Sequence, residues 1–398
     1  MTTSSQTEAK TLNILAYDEA TWFSSAKIGT MSLLTILAFI VGTVVLISGA
    51  DIMVRGAARI AASSGLSPVV IGLTVVAFGT SAPELAVSLG AAARGTSDLA
   101  LGNVVGSNIA NILLVLGLSA VVGSGLIVAI RIIRIDVPIM IGASAFVILL
   151  SLDGSLGRVD GALFILVLTA YLYRTVTSVK SSKDDRLATE GEHTEGLAAD
   201  LTGTHPLWRS SALVIIGVTM LIIGAQLLVT AATDLATSLG ASEWLIGLTV
   251  VAVGTSLPEI ATSIVAAAKG QRDLAVGNAV GSNLFNILAV LGFTSLITPI
   301  SVSVSEHDFD LAFMLAVAVV CLPIFLNGSV IKRWEGVLFV AYYAVYVVWL
   351  CLDASSAAIL DEFRTVMLAF VVPLTAVTMV VIGVRGGRKL RSDLPQLR

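Results

Sequence analysis

The sequence predicts an all-α polytopic membrane protein: two inverted five-helix repeats followed by one extra C-terminal helix, about 11 spans in all. Three observations predict it. Hydrophobic residues make up 56% of the 398-residue chain and charged residues 13%, at a mean hydropathy of +0.95. The charged share is about half the roughly 25% of an average soluble domain. Apolar runs long enough for a hydrocarbon core about 30 Å thick recur along the chain. A 53-residue block also occurs twice, with 35 identities and no gap.

This composition excludes a soluble globular enzyme, a disordered chain and a nucleic-acid binder. Net charge is −4, and no basic run is interleaved with aromatics. Cys321 and Cys351 each sit inside an apolar run and read as separate small core residues.

In chain order, residues 1–30 read as a short N-terminal leader, since no basic n-region and no short apolar core precede the first long span. The first repeat, 31–178, holds apolar runs near 31–54, 66–93, 99–127, 132–152 and 159–178. A polar segment, 179–207, is rich in Lys, Asp, Glu, Ser and Gly and reads as a solvated cytoplasmic linker. The second repeat, 208–352, holds runs near 210–239, 244–268, 274–298, 310–328 and 334–352. Residues 353–398 add one more span, near 365–384, with Pro373 placed to kink it, and a basic tail.

The positive-inside rule tests this count. With the N-terminus outside, cytoplasmic segments hold 18 of the 23 Lys and Arg, and external ones hold only Lys10, Lys27, Arg94, Arg158 and Arg364. The C-terminus then lies in the cytoplasm of a cell whose inner (plasma) membrane carries the protein.

Gly65–Gly117 aligns with Gly240–Gly292 at an offset of 175 residues. The copies lie five spans apart. Five is odd, so the second enters the bilayer from the opposite side. Inverted repeats are characteristic of secondary transporters, whose site lies at the midplane where the repeats meet.

Each copy carries two blocks. The first is Gly79-Thr80-Ser81-Ala82-Pro83-Glu84, repeated as Gly254-Thr255-Ser256-Leu257-Pro258-Glu259. The second runs from Gly102-Asn103 through Gly106-Ser107-Asn108 to Asn111, repeated from Gly277-Asn278 through Gly281-Ser282-Asn283 to Asn286. Both lie deep in apolar runs, where a carboxylate costs at least about 2.5 kcal/mol and is a functional candidate by default. Proline removes a backbone donor, so the helix should break and free the carbonyls around 77–80 and 252–255. Ser107 and Asn111 share a helix face, as do Ser282 and Asn286. The donors are all oxygen, with no thiolate and no imidazole, which suits Ca²⁺ and Na⁺ and not zinc or copper. Two carboxylates carry a charge that one Ca²⁺ or two Na⁺ neutralise, so the ions would compete for shared ligands. The four-residue spacing of Gly102 and Gly106, and of Gly277 and Gly281, reads as close helix packing.

Other charges read as structural. Asp51 pairs with Arg55 four residues on. Asp136 and Asp234 read as interface residues at helix ends. Acidic residues in the outer loops (Glu306, Asp308, Asp310, Asp353, Asp361, Glu362) read as solvated. His193, His205 and His307 fall in expected loops, so Ser81 and Ser256 have no buried base and an enzyme is not expected. No phosphate-binding loop is present, so neither a nucleotide nor any other cofactor is expected.

At the paired GTSAPE/GTSLPE and GNVVGSN/GNAVGSN blocks the chain resembles prokaryotic Na⁺/Ca²⁺ exchangers of the cation/Ca²⁺ antiporter superfamily, over roughly residues 31–352. The resemblance implies a ten-helix fold whose second, third, seventh and eighth helices build the site. The first and sixth, here 31–60 and 210–239, would slide to switch access. By motif match it implies Glu84 and Glu259 as central Ca²⁺ ligands, with the carbonyls of Thr80 and Thr255. Ser81, Ser107, Ser256 and Ser282 would serve Na⁺ with the carbonyls of Ala77 and Ala252, and Asn111 and Asn286 would line the centre. Two departures stand out. Asn286 replaces an Asp of some relatives, including K⁺-dependent exchangers, which argues against K⁺ co-transport. The span near 365–384 is one more than the usual ten. The absence of a Glu in the second block favours Na⁺ over H⁺ as counter-ion. The expectation is a Na⁺/Ca²⁺ antiporter in the lipid bilayer, with Ca²⁺ and Na⁺ as its partners. Its rivals are a Ca²⁺/H⁺ or K⁺-dependent exchanger, a cation channel and an intramembrane hydrolase.

Overall fold

The computed structural model describes residues 33–64, 66–181, 206–238, 252–302 and 304–354, with Thr365. The first repeat forms α1 (Leu33–Ser64), α2 (Pro68–Thr80), α3 (Ala82–Ala93), α4 (Ser97–Val122), α5 (Ile132–Asp153) and α6 (Arg158–Ser181). The second forms α7 (Leu207–Ser238), the single turn α8 (Ala252–Thr255), α9 (Leu257–Ala268), α10 (Arg272–Ile297), α11 (Val304–Leu326) and α12 (Arg333–Ala354). Seven of these helices are each long and apolar enough to cross a bilayer, and α2 with α3 makes an eighth span bent by 42°. The leader 1–30, most of the linker, His193, His205, Pro373 and the eleventh expected span lie outside the described residues. His307 falls in the first turn of α11 and not in a loop. The free thiols Cys321 and Cys351 are unpaired, as their separate runs implied.

The local reasons for these elements are legible. Ser67 caps α2, its hydroxyl accepting from the Val70 amide at 3.4 Å, with Pro68 at the first helical position. About three turns after each Pro-Glu motif the two repeats turn back through Gly95 and Gly270, both at positive φ (77° and 75°). The first helix runs past residue 54, where the apolar run ends, to Ser64, because its last three turns bury Met53, Ala57, Ile60 and Ala61 inside the protein.

Two pairs of two-residue strands were not foreseen. β1 (Leu126–Ile127) pairs antiparallel with β4 (Val330–Ile331), and β2 (Ser155–Leu156) pairs with β3 (Ile300–Ser301). Each ladder joins one repeat to the other, and β2 and β4 are repeat mates (155 + 175 = 330).

The two second-block helices, α4 and α10, form the centre, with nearly all of α10 buried. Around them α1 and α7 cross antiparallel along most of their length. Small residues let them touch: a Cβ at Gly217 would lie 2.6 Å from the Met53 amide nitrogen, and one at Gly224 2.6 Å from that of Leu46. Their outer faces leave Leu33, Leu34, Phe39, Ile40, Ile215 and Ile223 exposed. With every backbone group satisfied inside helices, such a surface belongs in lipid.

Two charge expectations change. Asp51 pairs with Arg55 at 2.6 Å, as its spacing implied, and also with Lys269 in the α9–α10 turn. That contact seats the α9–α10 turn against the middle of α1. Asp136, read as an interface residue at a helix end, is enclosed by protein. It is fully buried, accepting from the Tyr171 hydroxyl at 3.0 Å with Arg131 Nε 3.6 Å away. It closes a π-helical turn, Ile132–Asp136, at the start of α5.

Candidate functional site

Each Pro-Glu motif breaks its helix where proline demands. Ser81 (φ −80°, ψ 4°) separates α2 from α3, and Ser256 (φ −86°, ψ 3°) separates α8 from α9. Pro83 and Pro258 have no N–H to offer the carbonyls of Gly79 and Gly254 four residues back. The ladder resumes when Leu85 donates to the Ser81 carbonyl at 3.2 Å and Ile260 to that of Ser256 at 3.0 Å. The Ala77 carbonyl, expected to be free, accepts the Ser81 amide at 3.0 Å. The Thr80 hydroxyl lies 3.4 Å from the same carbonyl, so both of its acceptor directions have a neighbour in the protein. Ala252 opens α8 at the corresponding place.

Glu84 and Glu259 sit in the first turn after each break. Both are fully buried, and their charges interact. The surroundings come from both repeats. Ser81 of the first repeat lies 3.4 Å from Glu259 Oε1, and Ser282 lies 3.5 Å from the same oxygen. The Thr80 hydroxyl is 3.4 Å from that of Ser282. Asn286 donates its amide to Ser107 Oγ across the repeats at 3.0 Å. Thr80, Ser81, Ser107, Asn111, Ser256, Ser282 and Asn286 are all buried, and Thr255 is half-buried. Of the expected set, Thr80, Ser81, Glu259 and Ser282 thus meet across the repeats, and Asn286 meets Ser107.

This region is short of donors. Both oxygens of Glu84, Oε2 of Glu259, Oδ1 of Asn286, Oγ of Ser256 and both polar atoms of Asn111 are buried without a hydrogen-bond partner in the protein. Orphaned buried oxygens are rare in folded chains, and buried carboxylates rarer still. An oxygen-rich cluster with two carboxyl groups and no Lys or Arg bonded to it among the described residues fits a hard cation. Among the described residues no group of three or more His, Cys, Asp or Glu forms a separate metal site.

The α4 and α10 helices change pitch at the site. Asn111 and Asn286 each begin a π-helical stretch, Asn111–Leu116 and Asn286–Leu291. A wider turn displaces the following side chains by about one position and leaves the ladder locally loose, a common feature of functional sites. Sequence periodicity gave no sign of it. Sequence reasoning also assigned no role to Asn103 and Asn278, although both stand in the motif; each bonds a threonine of the opposite repeat, Thr255 at 3.4 Å and Thr80 at 3.2 Å. Gly277 and Gly281 pack as expected: a Cβ on them would lie 2.7 Å from the Val69 carbonyl and 2.8 Å from Leu73 Cα.

Known proteins resemble this chain over most of its length. Residues 34–177 and 209–352 each match the family described as sodium/calcium exchanger protein. The sodium/calcium exchanger MaX1 of Methanosarcina acetivorans is 32% identical over 350 residues, 78% of this chain and 97% of that one. The inner membrane protein YrbG of Escherichia coli is 37% identical over 325 residues, 80% of this chain and 97% of that one. Among solved structures, the sodium-calcium exchanger NCX_Mj soaked with Na⁺ and Sr²⁺ superposes with a TM-score of 0.68 at 31% identity, covering 80% of this chain and 99% of that one. Repeats, broken helices and matched relatives agree: this multi-pass membrane protein belongs to the sodium/calcium exchanger family.

Proposed function

We propose that the protein is a secondary antiporter that exchanges Na⁺ for Ca²⁺ across the inner membrane by alternating access. The observation that carries this is the pair of fully buried carboxylates, Glu84 and Glu259, delivered by inverted broken helices into a pocket of unpartnered oxygens. One Ca²⁺, or two Na⁺ with any further Na⁺ on neutral oxygens, balances their charge. Because both ions use the same carboxylates, binding one expels the other. In this reading Glu84 and Glu259 with the carbonyls of Thr80 and Thr255 hold Ca²⁺. Ser81, Ser107, Ser256 and Ser282 with the carbonyls of Ala77 and Ala252 hold Na⁺. Asn111 and Asn286 line the centre.

Residues 31–178 and 208–352 act as the two halves, 179–207 as a cytoplasmic linker, and 353–398 as an added helix and tail. The N-terminus faces outward and the C-terminus the cytoplasm, as the split of basic residues supports. The protein works without a cofactor and is not an enzyme.

Proteoliposomes loaded with Na⁺ and diluted into Na⁺-free medium containing ⁴⁵Ca²⁺ test the reading. Uptake should follow the Na⁺ gradient. Glu84→Gln and Glu259→Gln should each abolish it while the protein still folds, because a neutral amide returns no charge to the cation. Exchange retained in both variants would defeat the site. Uptake driven by a pH gradient without Na⁺ would select H⁺ as counter-ion, and a requirement for K⁺ would select K⁺-dependent exchange.

A further inference from the structure

Two asparagines take no part in ion binding as described above, yet the structure uses both in the same unusual way. Asn103 in α4 and Asn278 in α10 are repeat mates (103 + 175 = 278). Asn103 donates Nδ2 to Ser88 Oγ at 2.9 Å and to the Glu84 carbonyl at 3.1 Å, while its Oδ1 accepts the Thr255 hydroxyl at 3.4 Å. Asn278 donates Nδ2 to Ser263 Oγ at 2.9 Å, while its Oδ1 accepts the Thr80 hydroxyl at 3.2 Å. Ser88 and Ser263 are also repeat mates (88 + 175 = 263), and both are fully buried.

Each amide thus holds three helices. It grips the half-helix after the break in its own repeat, through Ser88 or Ser263. It grips the last residue before the break in the other repeat, through Thr255 or Thr80. Only a side chain that donates and accepts at once can do this; a carboxylate accepts only. The gripped threonines immediately precede Ser256 and Ser81, so the clamp holds the turn at each helix break.

We propose that Asn103 and Asn278 are positioning residues that lock the two broken helices to one another and thereby set the preference of the site for Ca²⁺ over Na⁺. This rests on the exchange reading of the site. Ca²⁺ takes six to eight oxygens at about 2.3–2.6 Å, so it needs ligands from both repeats held at one spacing. Na⁺, with half the charge, draws less energy from each added ligand and loses less when the halves loosen. A net hydrogen-bond contribution of typical size corresponds to a change of about three- to tenfold in affinity.

The test is a cycle across the repeats: Asn103→Ala, Thr255→Val, the double variant, and Thr255→Ser. Two readouts are taken for each, the KM for Ca²⁺ and the Na⁺ concentration that half-inhibits Ca²⁺ uptake, together with the shift in melting temperature that Ca²⁺ alone or Na⁺ alone produces in detergent. The expected result is a Ca²⁺ KM raised about three- to tenfold in Asn103→Ala and in Thr255→Val, a Na⁺ value moved less than about twofold, and a double variant no worse than the poorer single one. Thr255→Ser keeps the hydroxyl and should recover part of the Ca²⁺ preference that Thr255→Val loses. Additive effects, or equal loss for both ions, would overturn the clamp. If the wild type shows no Na⁺-driven uptake but the ion-induced melting shifts still follow the cycle, the exchange reading fails and the clamp stands.

Discussion

A buried charge needs a stated partner, and Asp136 shows how this fold supplies one away from the ion site. Its carboxylate takes the Tyr171 hydroxyl at 3.0 Å and faces Arg131. The second repeat has a half-buried counterpart: Asp310, expected to be solvated in an outer loop, lies in α11 and accepts from Tyr346, the mate of Tyr171 (171 + 175 = 346), at 3.0 Å. Removing one partner of a buried charged pair costs about 1–3 kcal/mol. Tyr171→Phe should therefore lower the melting temperature in detergent while the Ca²⁺ KM stays at the wild-type value, and Tyr173→Phe, an exposed position, should do neither. A shifted KM with unchanged melting would place Tyr171 in the ion pathway. The contrast also explains what the sequence could reveal residue by residue. Glu84 and Glu259 were legible because a charge in the middle of an apolar run has no bland explanation. Asp136 stood near the end of a run, and its tyrosine lies 35 residues away, so nothing local distinguished it from a solvated helix end. Asn103 and Asn278 carry no charge to mark their depth, and a clamp formed with the opposite repeat leaves no trace in local spacing.

At the scale of elements, the breaks at Ser81 and Ser256 were readable because proline imposes them whatever surrounds it. The π-helical turns at Asn111 and Asn286 were not, because one extra residue in a turn alters neither composition nor length. The two-residue ladders were not readable either, since their pairing is set by the folded repeats and not by local strand propensity. The crossing of α1 and α7 is where packing meets mechanism. Gly217 sits against the backbone of Gly49 and Met53 with no space for a methyl group. Gly217→Val must force the helices apart or shift their register, and overpacking of this kind costs about 1–3 kcal/mol. If these helices slide during switching, the variant should lose most of its transport rate while Ca²⁺ still raises its melting temperature, because the ligands lie on other helices. Gly142→Val on the exposed face of α5, where no atom lies within 4 Å, is the control and should transport normally. Normal flux in Gly217→Val would show that the close crossing is not part of the switch.

For the whole molecule, the decisive quantity is the charge at its centre. Two inverted halves bring together two carboxylates that no described lysine or arginine neutralises. If the site opens to each side of the membrane in turn, as proposed above, water reaches such a pair in either open state and screens it. In passing between the two open states the site must close on both sides, and there the repulsion and the lost hydration act in a low dielectric. An ion-loaded site carries little net charge and crosses; an empty one carries two negative charges and does not. Switching is therefore coupled to loading, and exchange is obligatory without any added gate. Proteoliposomes loaded with ⁴⁵Ca²⁺ should release it rapidly into medium containing Na⁺ or unlabelled Ca²⁺, and at least about tenfold more slowly into medium with neither, since 1.4 kcal/mol of added barrier already gives that factor. Acidifying the ion-free medium should restore part of the release, because protons can neutralise Glu84 and Glu259 in place of a metal. Equal release into both media at neutral pH would mean that the carboxylates do not govern switching, and the protein would be conducting as a channel.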